Sequence, residues 1–205
     1  MTDSALQEPQ AGKRERLVAA ACRVLYEQGV ERTTLADIAQ AADVPVGNVY
    51  YYFKTKDQLV EAAINAHRDE LRVMLSALDR CGTPQARLKG LIRALVDQRE
   101  LAAKYGCPFG TLACELDKRA DGLDRTAADM LGVLVGWAEG QFRSMSLPDQ
   151  DARDLAIALI SSYQGVSLMT NTFRDPELMA REGRRLEGWI DSLADGAKLG
   201  AGSAD

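Results

Sequence analysis

Long apolar runs, signal-like segments and alternating strand patterns are all absent from this sequence of 205 residues. No stretch approaches the run of about 18 apolar residues that a membrane-spanning helix needs, and no basic head precedes an apolar segment near the N-terminus. We therefore expect a cytoplasmic protein without a membrane partner. Apolar and β-branched residues do not alternate with polar ones, which argues against any extensive sheet.

Cysteine and histidine are scarce, and their placement excludes several kinds of site. The four cysteines, Cys22, Cys81, Cys107 and Cys114, form no Cys-x-x-Cys pair, so we expect reduced thiols and no thiolate zinc site. His67 is the one histidine, and no nucleophile motif, HExxH motif or glycine-rich phosphate loop accompanies it. The sequence thus predicts a protein that is not an enzyme and uses no metal or cofactor.

Acidic residues outnumber basic ones, giving a formal net charge of −5. Because phosphate contacts need local positive charge, this total at first argues against a nucleic-acid binder. The excess is uneven, however: residues 10–60 carry seven Lys/Arg against six Asp/Glu, whereas residues 61–205 carry eighteen against twenty-two. A small DNA-facing head on a larger acidic body fits this mild asymmetry.

Apolar residues recur at three- and four-residue spacing along the chain, which predicts an all-α fold. Gly29 is placed to end the first helix, Thr33 or Thr34 to cap the start of the second, and Thr55 to cap the start of the fourth. The pattern and its capping residues predict about nine helices: Lys13–Gln28, Leu35–Ala42, Val46–Phe53, Lys56–Asp79, Gln85–Lys104, Phe109–Arg119, Asp124–Ser144, Asp149–Thr172 and Asp175–Leu193. We divide the chain into a disordered arm (1–12), a three-helix head (13–56), a helical body (57–195) and a disordered tail (196–205).

The second and third predicted helices have the pattern of a helix-turn-helix. The small Ala39 permits their close approach, and Val44 fills the turn between them. An inward stripe on the third helix comprises Val49, Tyr52 and Phe53. The opposite face then points outward and comprises Val46, Gly47, Tyr50 and Tyr51, with Asn48 on its flank. The alternative is an ordinary helical bundle in which the tyrosines are packing residues.

The run from Thr33 to Val44, followed by Gly47 to Leu59, resembles the DNA-binding signature of the TetR family of bacterial transcriptional regulators. The resemblance implies a homodimer whose recognition helices enter successive major grooves of a palindromic operator, about 34–36 Å apart. It also implies a repressor that a small-molecule effector releases from DNA. An activator and a non-enzymatic helical adaptor are the alternatives.

Seven positions match the family's DNA contacts: Thr34, Val46, Gly47, Asn48, Tyr50, Tyr51 and Lys56. Thr34 resembles the phosphate-binding cap at a helix N-terminus. The two tyrosines and Lys56 match positions that hold the DNA backbone or touch thymine methyl groups, with a solvated lysine as the alternative. Asn48 lies among the positions closest to the bases and can both donate and accept a hydrogen bond.

The chain departs from the family pattern at two points in this region. Asp43 stands where the turn usually carries glycine, and we expect the turn to survive because aspartate tolerates the left-handed conformation. Apolar or small residues at Ala36, Val46 and Gly47 leave few groups that could hydrogen-bond to bases. We therefore expect methyl contacts and DNA shape to contribute to specificity.

In the resembled family, the C-terminal part binds a ligand and dimerises through its last two long helices. Small residues on the eighth helix, Ser161, Ser162 and Gly165, favour close helix approach. Apolar stripes on the last two helices predict the dimer interface, with intramolecular core as the alternative: Leu159, Tyr163, Val166, Leu186, Trp189 and Ile190. Bulky side chains predict a pocket for a mainly apolar effector, each with core packing as its alternative: Tyr105, Cys107, Phe109, Met130, Trp137, Phe142, Tyr163 and Met169, with Met74 and Phe173 as further candidates.

The run from Gly106 to Glu115 resembles a subgroup of the family in which Gly-Cys opens the sixth helix. The resemblance suggests a cysteine that senses electrophiles or oxidants, as in some members of that subgroup. A thiol at a helix N-terminus has its thiolate form stabilised by the helix dipole, which makes Cys107 the candidate. The alternative is that Cys107 and Cys114 are small buried core residues.

Overall fold

The computed structural model describes residues 12–119, 122–145, 147 and 151–201, with side chains described as far as Leu193. The remainder of the predicted arm and tail, 1–11 and 202–205, lies outside the described residues. Within the described ranges every regular element is a helix: α1 Lys13–Gln28, α2 Leu35–Ala41, α3 Val46–Tyr52, α4 Lys56–Leu78, α5 Pro84–Val96, α6 Arg99–Tyr105, α7 Pro108–Leu116, α8 Leu123–Ser144, α9 Ala152–Phe173 and α10 Pro176–Ala201.

Two helices differ from their predicted extents. The predicted fifth helix is interrupted at Asp97 and Gln98, so α5 and α6 are separate segments; counted together they give nine helices in the described chain, and counted apart ten. The last helix continues past the predicted end at Leu193 and into the predicted tail, as far as Ala201. The predicted start of the eighth helix, Asp149, lies outside the described residues.

The chain forms two compact units, one ending at His67 and the other beginning at Arg68. The N-terminal unit contains α1, α2, α3 and the first turns of α4. Gly29 ends α1 as predicted, with φ 81° and its N–H donating to the Leu25 carbonyl at 2.9 Å. The division falls inside α4, later than the predicted boundary after Lys56, because the first turns of α4 have their buried residues in this unit: Leu59, Val60, Ala63 and Ile64.

The C-terminal unit is a helical bundle with two apolar clusters along its length. The first cluster, at one end, joins residues from the start of α9 to the end of α8, such as Leu155 to Phe142. The second joins Leu71 and Leu75 of α4 to Leu134 and Tyr163. Because α8 and α9 thus meet head to tail, they form an antiparallel hairpin.

Helices α5 and α10 are held side by side by two ion pairs and a close backbone approach. Lys89 Nζ lies 2.9 Å from Asp191 Oδ2, and Arg93 Nη2 lies 2.6 Å from Glu187 Oε2. A Cβ on Gly183 would lie 2.5 Å from Val96 Cγ2, so this contact requires glycine. Among the helices of the described ranges, none is both long enough and apolar enough to span a membrane.

Candidate DNA-binding surface

The turn between α2 and α3 is tight and has the predicted left-handed residue. Asp43 has φ 52°, a conformation that aspartate adopts more readily than most residues. Its N–H donates to the Gln40 carbonyl at 3.1 Å, and the Val44 N–H donates to the Ala39 carbonyl at 3.0 Å. Ala39 is fully buried, which places a small side chain at the close approach of the two helices. The aspartate departure from the family pattern therefore leaves the turn intact.

Helix α3 has an inner face that packs into the N-terminal unit. Val49 is fully buried and Phe53, the C-cap residue, is nearly so. Tyr52, predicted to face inward, is only half-buried, and its ring packs edge-to-face against Tyr51 with centroids 4.9 Å apart. Arg14 of α1 places its guanidinium 5.4 Å from the centre of the Phe53 ring, a cation–π contact that ties α1 to the end of α3.

The outer face of α3 is open along its whole length. Tyr51 is 78 % exposed, and Tyr50 and Val46 are also exposed. Nothing lies within 4 Å of a Cβ placed on Gly47, so another surface could approach the backbone there. Asn48 is half-buried at the edge of this face. The outward sides of Tyr50 and Tyr51 have no partner within the described part of the unit. We call the face formed by Val46, Gly47, Tyr50 and Tyr51, with Asn48 at its edge, the α3 surface.

Thr34 begins α2 as its N-cap, but its donors are already engaged. The Asp37 carboxylate accepts from both the Thr34 N–H at 2.8 Å and the Thr34 hydroxyl at 2.6 Å, while the hydroxyl oxygen accepts from the Asp37 N–H at 3.2 Å. The side-chain hydrogen bond from Thr34 is the largest factor that lowers the pKa of Asp37. The sequence signature Thr-x-x-Asp is typical of such a reciprocal capping box and could have predicted it, together with its competition with a phosphate contact of Thr34. Thr33 instead donates to the Gly29 carbonyl at 2.7 Å.

Two lysines lie next to α3, at its end and at the start of α4. Lys54 Nζ donates to the Tyr50 carbonyl at 2.7 Å, which satisfies a carbonyl in the last turn of α3. Lys56 Nζ reaches the Glu31 carbonyl at 3.5 Å and lowers the pKa of Asp37 as a minor electrostatic contribution. Thr55 caps α4 as predicted, because its hydroxyl oxygen accepts from the Gln58 N–H at 3.2 Å. Both lysine side chains are therefore held in place by backbone carbonyls.

Two arginines of α1 reach the turn, which sequence reasoning did not anticipate. Arg16 Nη1 lies 3.8 Å from Asp43 Oδ2, so the carboxylate in the turn has a cation beside it. Arg23 Nη2 donates to the Ala41 carbonyl at 3.2 Å, at the C-terminal end of α2. Both contacts join positions far apart in sequence, and no local pattern reports them.

The residues predicted to line an effector pocket do not form one open pocket. Four of them are buried within the core of the C-terminal unit: Cys107, Met130, Phe142 and Tyr163. Tyr105, Phe109, Trp137 and the further candidate Met74 are half-buried. Met169 and Phe173 lie instead on the exposed side of α9, which corrects their assignment to a pocket. The cavity among α5, α9 and α10 measures only about 10 Å³, room for about one water molecule, and Tyr163 is the one predicted residue on its apolar wall.

The residues predicted to form a dimer interface lie at two depths in the C-terminal unit. Leu159, Tyr163 and Ile190 are buried in the two apolar clusters of their own chain, and the remaining three, Val166, Leu186 and Trp189, are half-buried against them. For the three buried residues the structure supports the alternative of an intramolecular core, whereas a role of the three half-buried residues in a dimer stays a prediction. The exposed side of α9 is a different face, which we call the α9 face: Ile157, Ala158, Ser161, Ser162, Gly165, Leu168, Met169, Thr172 and Phe173.

Cys107 is the N-cap of α7 and is 4 % exposed. Its Sγ accepts from the Gly110 N–H at 3.4 Å and from Gln164 Nε2 at 3.5 Å. The predicted helix-terminal position is thus present, together with the burial that the alternative interpretation expected. Cys114 is exposed, which corrects its interpretation as a core residue. The four cysteines are unbonded to one another.

Comparison with known proteins covers both units. Residues 17–63 match the family model for bacterial regulatory proteins of the tetR family, and residues 84–184 match the model for the C-terminal domain of LmrA/YxaF-like transcriptional regulators. The chain is 26 % identical over 201 residues to the HTH-type transcriptional regulator TtgR of Pseudomonas putida, across 91 % of each chain. An HTH-type transcriptional regulator of Mycobacterium tuberculosis is 27 % identical over 176 residues, 80 % of this chain and 87 % of that one. The crystal structure of a TetR transcriptional regulator from Legionella pneumophila shares the fold, with a TM-score of 0.79 at 19 % identity over 90 % of this chain and 98 % of that one.

Proposed function

Because this chain belongs to the TetR family and is a DNA-binding transcriptional regulator, we propose that it acts as a ligand-responsive repressor. It binds a palindromic operator as a homodimer, and a small effector lowers its affinity for that operator. The single observation that carries the DNA-binding part is the open α3 surface. Two exposed tyrosines, with lysines at the neighbouring helix ends, fit the major groove and its phosphates.

The residues of the α3 surface have different roles in DNA binding, which follow from the chemistry of their side chains. Asn48 is the side chain with both a donor and an acceptor, so it reads a base edge. Tyr50, Tyr51 and Lys56 hold the backbone or touch thymine methyl groups. Val46 and Gly47 allow close approach without hydrogen bonds, which leaves part of the specificity to DNA shape. Thr34 contributes to a phosphate contact only if its hydrogen bonds to Asp37 are exchanged for bonds to the phosphate.

The homodimer rests on the α9 face. From Leu155 to Phe173 the chain carries no charged residue, and the exposed side of this stretch includes Leu168 at 67 % and Phe173 at 62 % exposure. A monomer rarely exposes an apolar stripe of this length, because its contact with water is unfavourable. The small Ser161 and Gly165 within the stripe permit close approach of a second helix. Two copies of α9 packed across a two-fold axis would bury it in both.

The effector is a small, mainly apolar molecule that binds inside the C-terminal unit. The apolar lining of the cavity among α5, α9 and α10 supports this chemistry, and its small volume means that the helices must separate for the effector to enter. Such separation is the kind of rearrangement that ligand binding can stabilise. An electrophile that reacts with Cys107 is our second candidate for the effector, since a thiol with 4 % exposure is poorly accessible.

A gel shift with the DNA upstream of the protein's own coding region tests the proposal. We expect a salt-sensitive complex with a discrete site in this DNA that excess random DNA does not compete away, and a reporter behind the same DNA that rises when the protein is deleted. A reporter that falls on deletion would identify an activator instead. Equal affinity for the upstream DNA and random DNA would reject sequence-specific regulation and favour a helical adaptor.

A further inference from the structure

Arg68, in α4, is a half-buried cation without a partner. Arg87 and Arg99 of the same unit are also half-buried. Arg87 Nε donates to the Cys81 carbonyl at 2.9 Å, and Arg99 forms an ion pair with Glu177 at 3.8 Å, although the Nε atoms of Arg99 and Arg16, like that of Arg68, have no hydrogen-bond partner in the described chain. The other half-buried arginines in the described part of the chain are Arg16 and Arg119, and each of them has a partner. Arg68 forms neither a hydrogen bond nor an ion pair with described residues, and its Nε is shielded from solvent. A partly desolvated guanidinium without an acceptor is unfavourable unless something else supplies one.

Two buried hydroxyls on α9 also lack partners. Ser167 and Thr170 are each 1 % exposed or less, and neither hydroxyl has a hydrogen-bond partner in the described chain. Helical hydroxyls commonly donate to the carbonyl four residues earlier, as Thr172 does to Leu168 at 2.8 Å in the same helix. Ser167 and Thr170 do not form this hydrogen bond. The two residues lie about one turn apart on the buried side of α9. Unsatisfied buried polar groups are rare in native proteins and need a reason.

The register of the helices puts these three residues at the same end of the bundle. Asp79, just after α4, accepts from Trp137 Nε1 at 2.9 Å, so the C-terminal end of α4 lies at the first cluster, which also contains the start of α9. The second cluster contains Leu71 of α4 and Tyr163 of α9. Moving one turn beyond it, away from the first cluster, leads to Arg68 on α4 and to Ser167 on α9.

We propose that Arg68, Ser167 and Thr170 bind the carboxylate of an apolar organic acid, which refines the effector class of the proposed function and rests on it. A guanidinium matches the two oxygens of a carboxylate with paired N–H groups, and the two hydroxyls can donate to the same oxygens. The apolar body extends toward the cavity among α5, α9 and α10, whose wall includes Tyr163 and Met179. None of the three donors lines that cavity itself; Ser167 lies one helical turn along α9 from Tyr163 on its wall.

Binding of octanoate and of its uncharged analogue octanamide to the purified full-length protein tests this inference. We expect saturable binding of octanoate in calorimetry without DNA, with octanamide about tenfold weaker or more, because a hydrogen bond to a charged group contributes more than one between neutral groups. Arg68→Met should remove the preference for octanoate. Arg68→Lys should restore part of it. A double variant with Ser167→Ala and Thr170→Val should weaken octanoate binding about threefold or more while leaving the fold at least as stable, since both orphan hydroxyls are removed.

Arg184→Met is the matched control, because Arg184 is an exposed arginine of α10 in the same unit. It should bind octanoate as the wild type does. Absence of saturable octanoate binding, or equal binding by wild type and Arg68→Met, would overturn the inference. So would a change in dimerisation alone in Arg68→Met, which would identify a carboxylate of a second copy as the partner. The gel shift on upstream DNA judges the proposed function separately, because calorimetry uses no DNA.

Discussion

The α3 surface and the α9 face both expose large apolar or aromatic side chains, yet they differ in what surrounds them. The α3 surface is one short helix of seven residues, bordered by Lys54 and Lys56, and its exposed aromatics carry hydroxyl groups. The α9 face extends along a helix of 22 residues and has no charge between Leu155 and Phe173. Exposure alone therefore does not identify a partner. Nearby cations and hydroxyls suit a polyanion, whereas a long uncharged stripe suits a copy of itself.

The two surfaces also differ in how they are held. Helix α3 is fixed by a tight turn at Asp43, by Val49 in the core and by the cation–π contact of Arg14 with Phe53. Helix α9 is fixed by its inner stripe, which forms part of both apolar clusters. A recognition surface needs side chains placed to within a fraction of an ångström for hydrogen bonding, whereas an apolar interface tolerates adjustment. Substitutions should accordingly act on specificity at α3 and on assembly at α9.

The largest expected effect comes from a charge on the α9 face. Leu168→Arg should weaken dimerisation by more than about 100-fold, because the two-fold axis would bring two unpaired cations into an apolar interface. Sedimentation at micromolar concentration should show a monomer, and operator affinity should fall with it. Val73→Arg is the control, since Val73 is 71 % exposed on α4 and lies off the α9 face. A dimer that persists in Leu168→Arg would place the interface elsewhere.

Asn48→Ala should have the next largest effect, confined to specificity. Loss of its bidentate pairing should cost about 1–3 kcal/mol on the operator and relax the preference at one base pair. Fluorescence anisotropy on the operator, on single-base variants of it and on random DNA measures both quantities. An equal loss on random DNA would show that Asn48 contacts the backbone and would transfer base reading to another residue of the α3 surface.

The two surfaces were not equally predictable from sequence. In α3 the helical spacing of Val49 and Phe53 identified the inner side, which left Tyr50 and Tyr51 on the outer side. In α9 both faces are uncharged, and the pattern gave no means to choose between Tyr163 and Leu168 as the exposed residue. Three of the six residues predicted for the dimer interface, Leu159, Tyr163 and Ile190, are therefore buried in the core of their own chain. Amphipathicity tells inside from outside only where the outside is polar.

Contacts between distant positions account for most of what the sequence did not reveal. The Arg16–Asp43 pair and the orphan state of Arg68 depend on tertiary packing, which no local spacing encodes. The interruption of the predicted fifth helix at Asp97 and Gln98 has no glycine or proline to announce it. By contrast, caps such as Thr34, Thr55 and Gly29 are local, and the sequence identified them because their function requires particular residue types.

Lys56→Ala should have a smaller effect on DNA binding that does not depend on sequence. Removal of one phosphate contact should reduce the slope of log affinity against log salt by about 0.9, on operator and random DNA alike. Lys118→Ala, at an exposed lysine of the C-terminal unit, should leave the slope unchanged. An unchanged slope in Lys56→Ala, with the melting temperature lowered, would make Lys56 a structural residue that serves the Glu31 carbonyl.

The smallest expected effect concerns the capping box at the start of α2, in the same unit as the α3 surface, and depends on pH. The pKa of Asp37 is lowered in the folded protein by its hydrogen bonds with Thr34. Its contribution to stability is therefore fully present above the unfolded pKa, near 3.8, and is lost as the pH falls through the lower folded value. Asp37→Ala should lower the melting temperature by about 2–5 °C at pH 7, and the difference from wild type should shrink below the folded pKa. Glu27→Ala removes an exposed carboxylate of α1 and should leave the melting temperature unchanged at both pH values. If the difference in melting temperature between wild type and Asp37→Ala stayed constant at acidic pH, the uncharged Asp37 side chain would already complete the cap.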